Sequence, residues 1–246
     1  METARLRMTA SELVLPPLFA AVRLRELGDA FAHAVSIAPK QGAGTLVYVG
    51  RFDLAEFAVV LEPEEPLRSA RRALYAGMAA LAEALAAHAE PETAINIEWP
   101  DALFVNFGLV GGGRLAWPED AVEEEPPAWL VFSGVVRLAS MSGQEPGANP
   151  SVTTLDEEGF GELTASTLIE SFARHFMSMI DGWQASGFGI VARNYLQRLE
   201  KGPHYAIDEQ GDLLIRGADG HAARRKLTDR LAAPSWLDPQ TQGPRA

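Results

Sequence analysis

Residues 97–115 hold the densest concentration of groups able to do chemistry. Trp99, Pro100 and Asp101 stand between two apolar runs, and Leu109-Val110-Gly111-Gly112-Gly113-Arg114-Leu115 follows after a short turn. Proline fixes its own backbone and biases its neighbour towards extended geometry, so Trp-Pro-Asp makes a rigid turn with the acid pointing off a strand end. Three glycines opening the next strand let a ligand approach the backbone closely and leave amides for an anion. Arg114 beyond them suits bidentate contact with a carboxylate or phosphate. On spacing alone, a hairpin with a bulge is the better account of this block.

The elements that must hold these residues are legible from periodicity. Leu27, Phe31, Ala34 and Val35 share a helical stripe, predicting a helix from Leu24 to Ile37 that Pro39 ends. Leu46–Val49 and Phe57–Leu61 read as strands. Leu74, Met78, Leu81 and Leu85 predict one long helix over 67–88. Short strands are expected at Ile95–Trp99, Leu103–Asn106, Gly113–Trp117 and Trp129–Leu138, and helices at Thr164–Trp183 and Phe188–Leu199. The acidic run 119–127 reads as a solvated surface loop, and Ser142–Pro150, rich in Gly, Pro and Asn, as a mobile one. Beyond residue 202, Tyr205–Asp208, Leu213–Arg216 and the basic Arg224-Arg225-Lys226 form a small β appendix. It is too short to stand without packing on the main body. Trp236 is expected to pin down the irregular tail that follows.

Composition removes whole classes of chemistry. The 246 residues contain no cysteine, which excludes disulfides, Cys-ligated zinc, iron–sulfur centres and thiol nucleophiles. A net charge of -12 argues against a nucleic-acid partner. No apolar run approaches the ~18 residues of a membrane span and no secretory leader is apparent, so a cytoplasmic protein is expected. The five histidines show no metal-ligand spacing, and no GxSxG, Walker or GxGxxG pattern occurs. Only Lys40, Lys201 and Lys226 are lysines, so no residue from 41 to 200 can act as a lysine base, Schiff-base former or phosphate clamp.

The block at 98–113 resembles the biotin and lipoate protein ligases. In that family a Lys-Trp-Pro-Asn-Asp strand end precedes, by a hairpin, a lysine and a glycine-containing strand. Here Glu98-Trp99-Pro100-Asp101-Ala102 stands at the first position and Leu109-Val110-Gly111-Gly112-Gly113 at the second. Upstream, Gln41-Gly42-Ala43-Gly44-Thr45-Leu46 falls where the family carries a Gly-Arg-Gly-Arg-Arg-Gly loop. The resemblance covers roughly residues 20–200, and the β appendix is similar to the C-terminal domain of biotin ligases. It implies an α+β fold: a mixed β-sheet with helices packed mainly on one face, occupying residues 1–200, and a small C-terminal β domain over 201–246. It also implies a pocket between Gly42, Gly44 and Thr45, Trp99, Pro100 and Asp101, and Gly111, Gly112, Gly113 and Arg114.

The family's chemistry is ATP-driven activation of a carboxylic acid to an acyl-adenylate, then transfer to a lysine on a carrier protein. That chemistry needs cations for the phosphates. The chain departs from the pattern there: Glu98 and Leu109 replace the two lysines, and Ala43, Thr45 and Leu46 replace the basic loop. Over residues 41–137 six arginines face fifteen acids. Three readings follow. One is an enzyme with relocated cations, Arg51 and Arg114, using ATP, with Asp101 on magnesium. The second is a degenerate member binding a small carboxylic acid of biotin or lipoate type, or an acyl-carrier, biotinyl or lipoyl domain contacted by Arg224-Arg225-Lys226. The third is a protein-interaction module. A thioester-type octanoyltransferase is excluded for want of a cysteine.

Overall fold

The computed structural model describes residues 13–140, 151–201, 204–217 and 221–245. The expected loop over Ser142–Pro150 lies outside the described residues. The sheet is built from β1 (Ala20–Leu24), β2 (Thr45–Val49), β3 (Leu54–Leu61), β4 (Ile95–Glu98), β5 (Ala102–Val105), β6 (Gly108–Ala116) and β7 (Leu130–Arg137). Their spatial order is β1-β2-β3-β7-β6-β5-β4, with β1 parallel to β2 and every other pair antiparallel. Alternation along each strand sends side chains to two faces. In β7, Leu130, Phe132 and Val136 join the main core, whereas Val131 and Val135 face the other way.

The main core lies under α3 (Ala73–Ala86), α4 (Ala165–Ser186) and α5 (Gly189–Leu196). Almost every residue of α3 is buried, which its alanine content permits: small side chains let the helix lie close to both sheet and α4. Gly77 is required there, because a Cβ would strike the Phe132 ring. The opposite face carries α1 (Ala30–Ile37) over Val47, Ala58, Val60 and Val131. The fold is therefore α+β with a mixed sheet and its helices mainly on one face, as expected.

Two elements differ from expectation for identifiable reasons. The expected helix start at Leu24 is instead the end of a strand, Ala20–Leu24. The helix begins only after Asp29, whose carboxylate accepts from the Ala32 amide at 2.9 Å as an N-cap. Leu27 is consequently fully exposed. The helix predicted over 67–88 is two, α2 (Leu67–Ala70) and α3, separated at Arg71 and Arg72. The acidic run explains part of this: the carbonyls of Glu123 and Glu125 accept from the first amides of α2, and the Glu123 carboxylate pairs with Arg71. That run is the exposed loop expected, and it also caps α2 through two of its carbonyls.

A separate three-stranded sheet, β8 (His204–Ile207), β9 (Leu213–Arg216) and β10 (Ala222–Arg225), precedes α6 (Leu227–Leu231). Leu213 and Leu227 belong to the main core, and the Tyr75 hydroxyl donates to the Gly211 carbonyl. Among the described residues no helix is long and apolar enough to cross a membrane.

Candidate functional site

On the sheet face that α3, α4 and α5 leave free, between α1 and the C-terminal tail, charged side chains gather. Glu56 interrupts the apolar run of β3 and projects onto this face, where it accepts from the Ala30 amide at 2.8 Å, at the start of α1. Burial pushes its carboxyl up, partly offset by that amide and by the arginines nearby. Arg114 lies on β6, two strands away. Its Nη2 is 3.7 Å from Asp29, its guanidinium carbon 4.0 Å above the Phe31 ring, and its Nη1 donates to Gln242 Oε1 at 2.8 Å. Its Nε is buried without a partner, and desolvation pulls its pKa down. Arg51 differs: it grips Asp53 through Nε and Nη2 at 2.7 and 2.6 Å, which holds the Asp53 carboxyl below its usual range.

The second part of the site is the turn between β4 and β5. The Trp99–Pro100 peptide is cis, and the Trp99 indole turns towards the helices to donate to Tyr75 Oη at 3.0 Å. Tyr195 Oη donates to the Pro100 carbonyl at 2.9 Å. Asp101 is 1 % exposed, and neither carboxylate oxygen has a hydrogen-bond partner. Desolvation raises its pKa to about 7. Its backbone carbonyl accepts from the Gly113 amide at 2.9 Å, so the turn and the glycine strand are locked together.

The structure brings Asp101 against Gly112 and Gly113, with Arg114 next along the strand, whereas Trp99 packs into the helix-side core on the other face of the sheet. It does not bring Gly42, Gly44 and Thr45 to them. Those three residues form the turn into β2, where Gly44 adopts a φ of 85° and bonds to Val60 and Ala20. Four strand spacings, about 19 Å, separate β2 from β5. Arg51 follows the other end of β2 and lines a cleft of about 280 Å³ with Arg23, Tyr48 and Ser166. Gly112 is not open to solvent, because Trp236 from the tail lies on it and donates to the Gly113 carbonyl at 3.1 Å.

The model of the biotin/lipoate A/B protein ligase family matches residues 15–197. The chain belongs to the biotin/lipoate A/B protein ligase family. Within this family it is 27 % identical over 188 residues to a biotin–[acetyl-CoA-carboxylase] ligase of Paracoccus denitrificans, spanning 66 % of this chain and 73 % of that one. It is similar to a biotin protein ligase-like protein of unknown function from Silicibacter sp. TM1040, at 27 % identity and a TM-score of 0.77, covering 89 % of this chain and 99 % of that structure. The biotin protein ligase of Aquifex aeolicus with bound biotin and ATP shares the fold, with a TM-score of 0.60 at 13 % identity over 84 % of this chain and 98 % of the other.

ATP and magnesium fit the residues present poorly. Around the sheet-face cluster, two arginines stand among Asp29, Asp53 and Glu56, and one of the two is already committed to Asp53. Among the described residues no three His, Asp or Glu side chains group as a metal site, and neither Asp101 carboxylate oxygen has a hydrogen-bond partner. Sequence reasoning missed Asp29, Phe31, Glu56 and Gln242. An acid inside the apolar run of β3 was the available signal for Glu56. Asp29 after Gly28 was the signal for a helix cap. Nothing marked Gln242.

Proposed function

We propose that this chain is a divergent member of its family that binds a small carboxylic acid of biotin or lipoate type on the free sheet face, through Arg114. In this reading it does not activate the acid with ATP through the family's usual residues. The observation that carries it is the charge balance beside β6. A triphosphate requires several uncommitted cations, whereas a carboxylate requires one guanidinium with free donors. Arg114 keeps a buried Nε without a partner, has Nη1 on a neutral amide, and holds Nη2 3.7 Å from Asp29, a long pair that an incoming carboxylate would displace. Phe31 covers the face of its guanidinium, so a carboxylate approaches along the edge, where the donors point. The relocated-cation reading is weakened by Arg51, which Asp53 already holds in a two-pronged bond.

The same reading takes an acyl-carrier, biotinyl or lipoyl domain as the protein partner. Arg225 and Lys226 are exposed and would meet it, while Arg224 is committed to Asp208 and Asp212. Thermal shift with millimolar biotin, lipoate and octanoate, run beside pyrophosphate release from ATP, tests the reading. Stabilisation by an acid, abolished in Arg114→Met, with pyrophosphate at background, is expected. Acid-dependent pyrophosphate release would overturn it in favour of catalysis.

A further inference from the structure

The tail residues 236–245 cross the same sheet face, and their attachment to it is unlike that of any strand. Trp236 is 1 % exposed and fills the hollow above Gly112 formed with Ala102, Leu109 and Val135. Leu237 packs beside it with Leu54 and Phe104. Gln242 occupies Arg114 Nη1, and Arg137 Nη2 donates to the last carbonyls, Pro244 at 2.8 Å and Arg245 at 3.0 Å. Yet among the described residues every backbone–backbone hydrogen bond of the segment is internal: Asp238 to Gly243, Gln242 to Asp238 and Arg245 to Trp236. The segment closes on itself and is held to the sheet by side-chain contacts alone. It can leave as a unit without stripping any strand of its ladder bonds.

We propose that Trp236–Arg245 is an intramolecular occupant of the acid-binding face, and that ligand and tail compete for Gly112–Arg114; this rests on the acid-binding reading above. The hollow exists because position 112 has no side chain. A Cβ there would stand 2.6 Å from the Trp236 ring. The indole therefore occupies ligand-sized space against bare backbone, with its N–H on a main-chain carbonyl. Gln242 likewise occupies the guanidinium with a neutral oxygen. A carboxylate makes a stronger, charge-assisted bond to the same donor, so exchange of amide for acid is favourable at that end. The apparent affinity of the acid is lowered by the fraction of chains in which the tail is seated.

Two measurements on the full chain test this. Hydrogen exchange should show amides of 236–245 exchanging at least about 100-fold faster than those of β6 and β7. Equal protection would mean the tail is a permanent part of the core and would overturn the proposal. Calorimetric titration with biotin and lipoate then compares the natural chain with Trp236→Ala, which empties the hollow, and Arg137→Ala, which removes only a tether. Affinity for the bound acid should rise at least about tenfold in the first and several-fold in the second. Unchanged affinity in both overturns the competing tail and leaves acid binding standing. Absence of binding in all three forms overturns both.

Discussion

Trp236 lies where a side chain at Gly112 would have to go. A Cβ on that glycine would stand 2.6 Å from the indole and would strike the carbonyl oxygen of Asp101 beneath it. One residue without a side chain thus holds together the Trp-Pro-Asp turn, the glycine strand and the tail. Gly112→Ala should destabilise the chain by at least about 2 kcal/mol, since the clash involves backbone as well as a ring. Denaturant melting reads the loss. A cost below about 0.5 kcal/mol would show that the turn and tail are not packed against this position.

Tyr75 joins the turn to the C-terminal sheet through one hydroxyl. It accepts from Trp99 Nε1 at 3.0 Å and donates to the Gly211 carbonyl. Tyr75→Phe leaves a buried indole N–H and a buried carbonyl unpaired, at about 1–3 kcal/mol for each. A loss of about 2–4 kcal/mol in urea unfolding is expected, and a neutral result would mean that water replaces the hydroxyl.

Asp101 should make stability depend on pH in the unusual direction. Its carboxyl titrates near 7 in the fold, because burial disfavours the charge, against 3.8 for an ordinary aspartate. The folded state therefore binds the proton more tightly, and this contribution is fully present below about pH 4. It declines as pH rises to about 7 and is constant above. Asp101→Asn keeps the shape without the charge, so the variant should gain on the natural chain across that window, by on the order of 2–4 kcal/mol at pH 8. Arg230, which favours the charged form, and Glu98, which opposes it, are the other charges facing this group. Stability curves that stay parallel from pH 4 to 8 would contradict the assignment.

Arg51 separates the two cation readings. Its pairing lowers the Asp53 carboxyl, so the stability it provides is present above about pH 4 and lost as pH falls through the folded value. Arg51→Gln should lower stability by about 1 kcal/mol at pH 7 and by less at pH 3. The stabilisation given by an acid ligand should remain. Its disappearance would return Arg51 to the site.

Much of this architecture was written locally in the chain. The β-strand runs, the long helix at 165–186 and the Trp-Pro-Asp and triple-glycine pair follow from periodicity and from the backbone demands of proline and glycine. What was not legible depends on distant contacts. Leu24 and Leu27 satisfy a helical stripe, but pairing with β2 makes Ala20–Leu24 a strand. The gathering of Asp29, Glu56, Arg114 and Gln242 spans more than two hundred residues of sequence and is set by sheet order, the seat of α1 and the course of the tail. The family resemblance places Gly42, Gly44 and Thr45 in the pocket; in the fold they form the turn into β2, four strands from Asp101.

Acid binding at Arg114 without ATP-driven activation has a direct calorimetric signature. Calorimetric titration of the full chain with biotin and lipoate, with and without magnesium-ATP, addresses it most directly. A saturable binding heat from one of the acids, unaltered by ATP and lost in Arg114→Met, is expected. Sustained heat of turnover that requires both ATP and acid, or no binding heat from either acid, would contradict it.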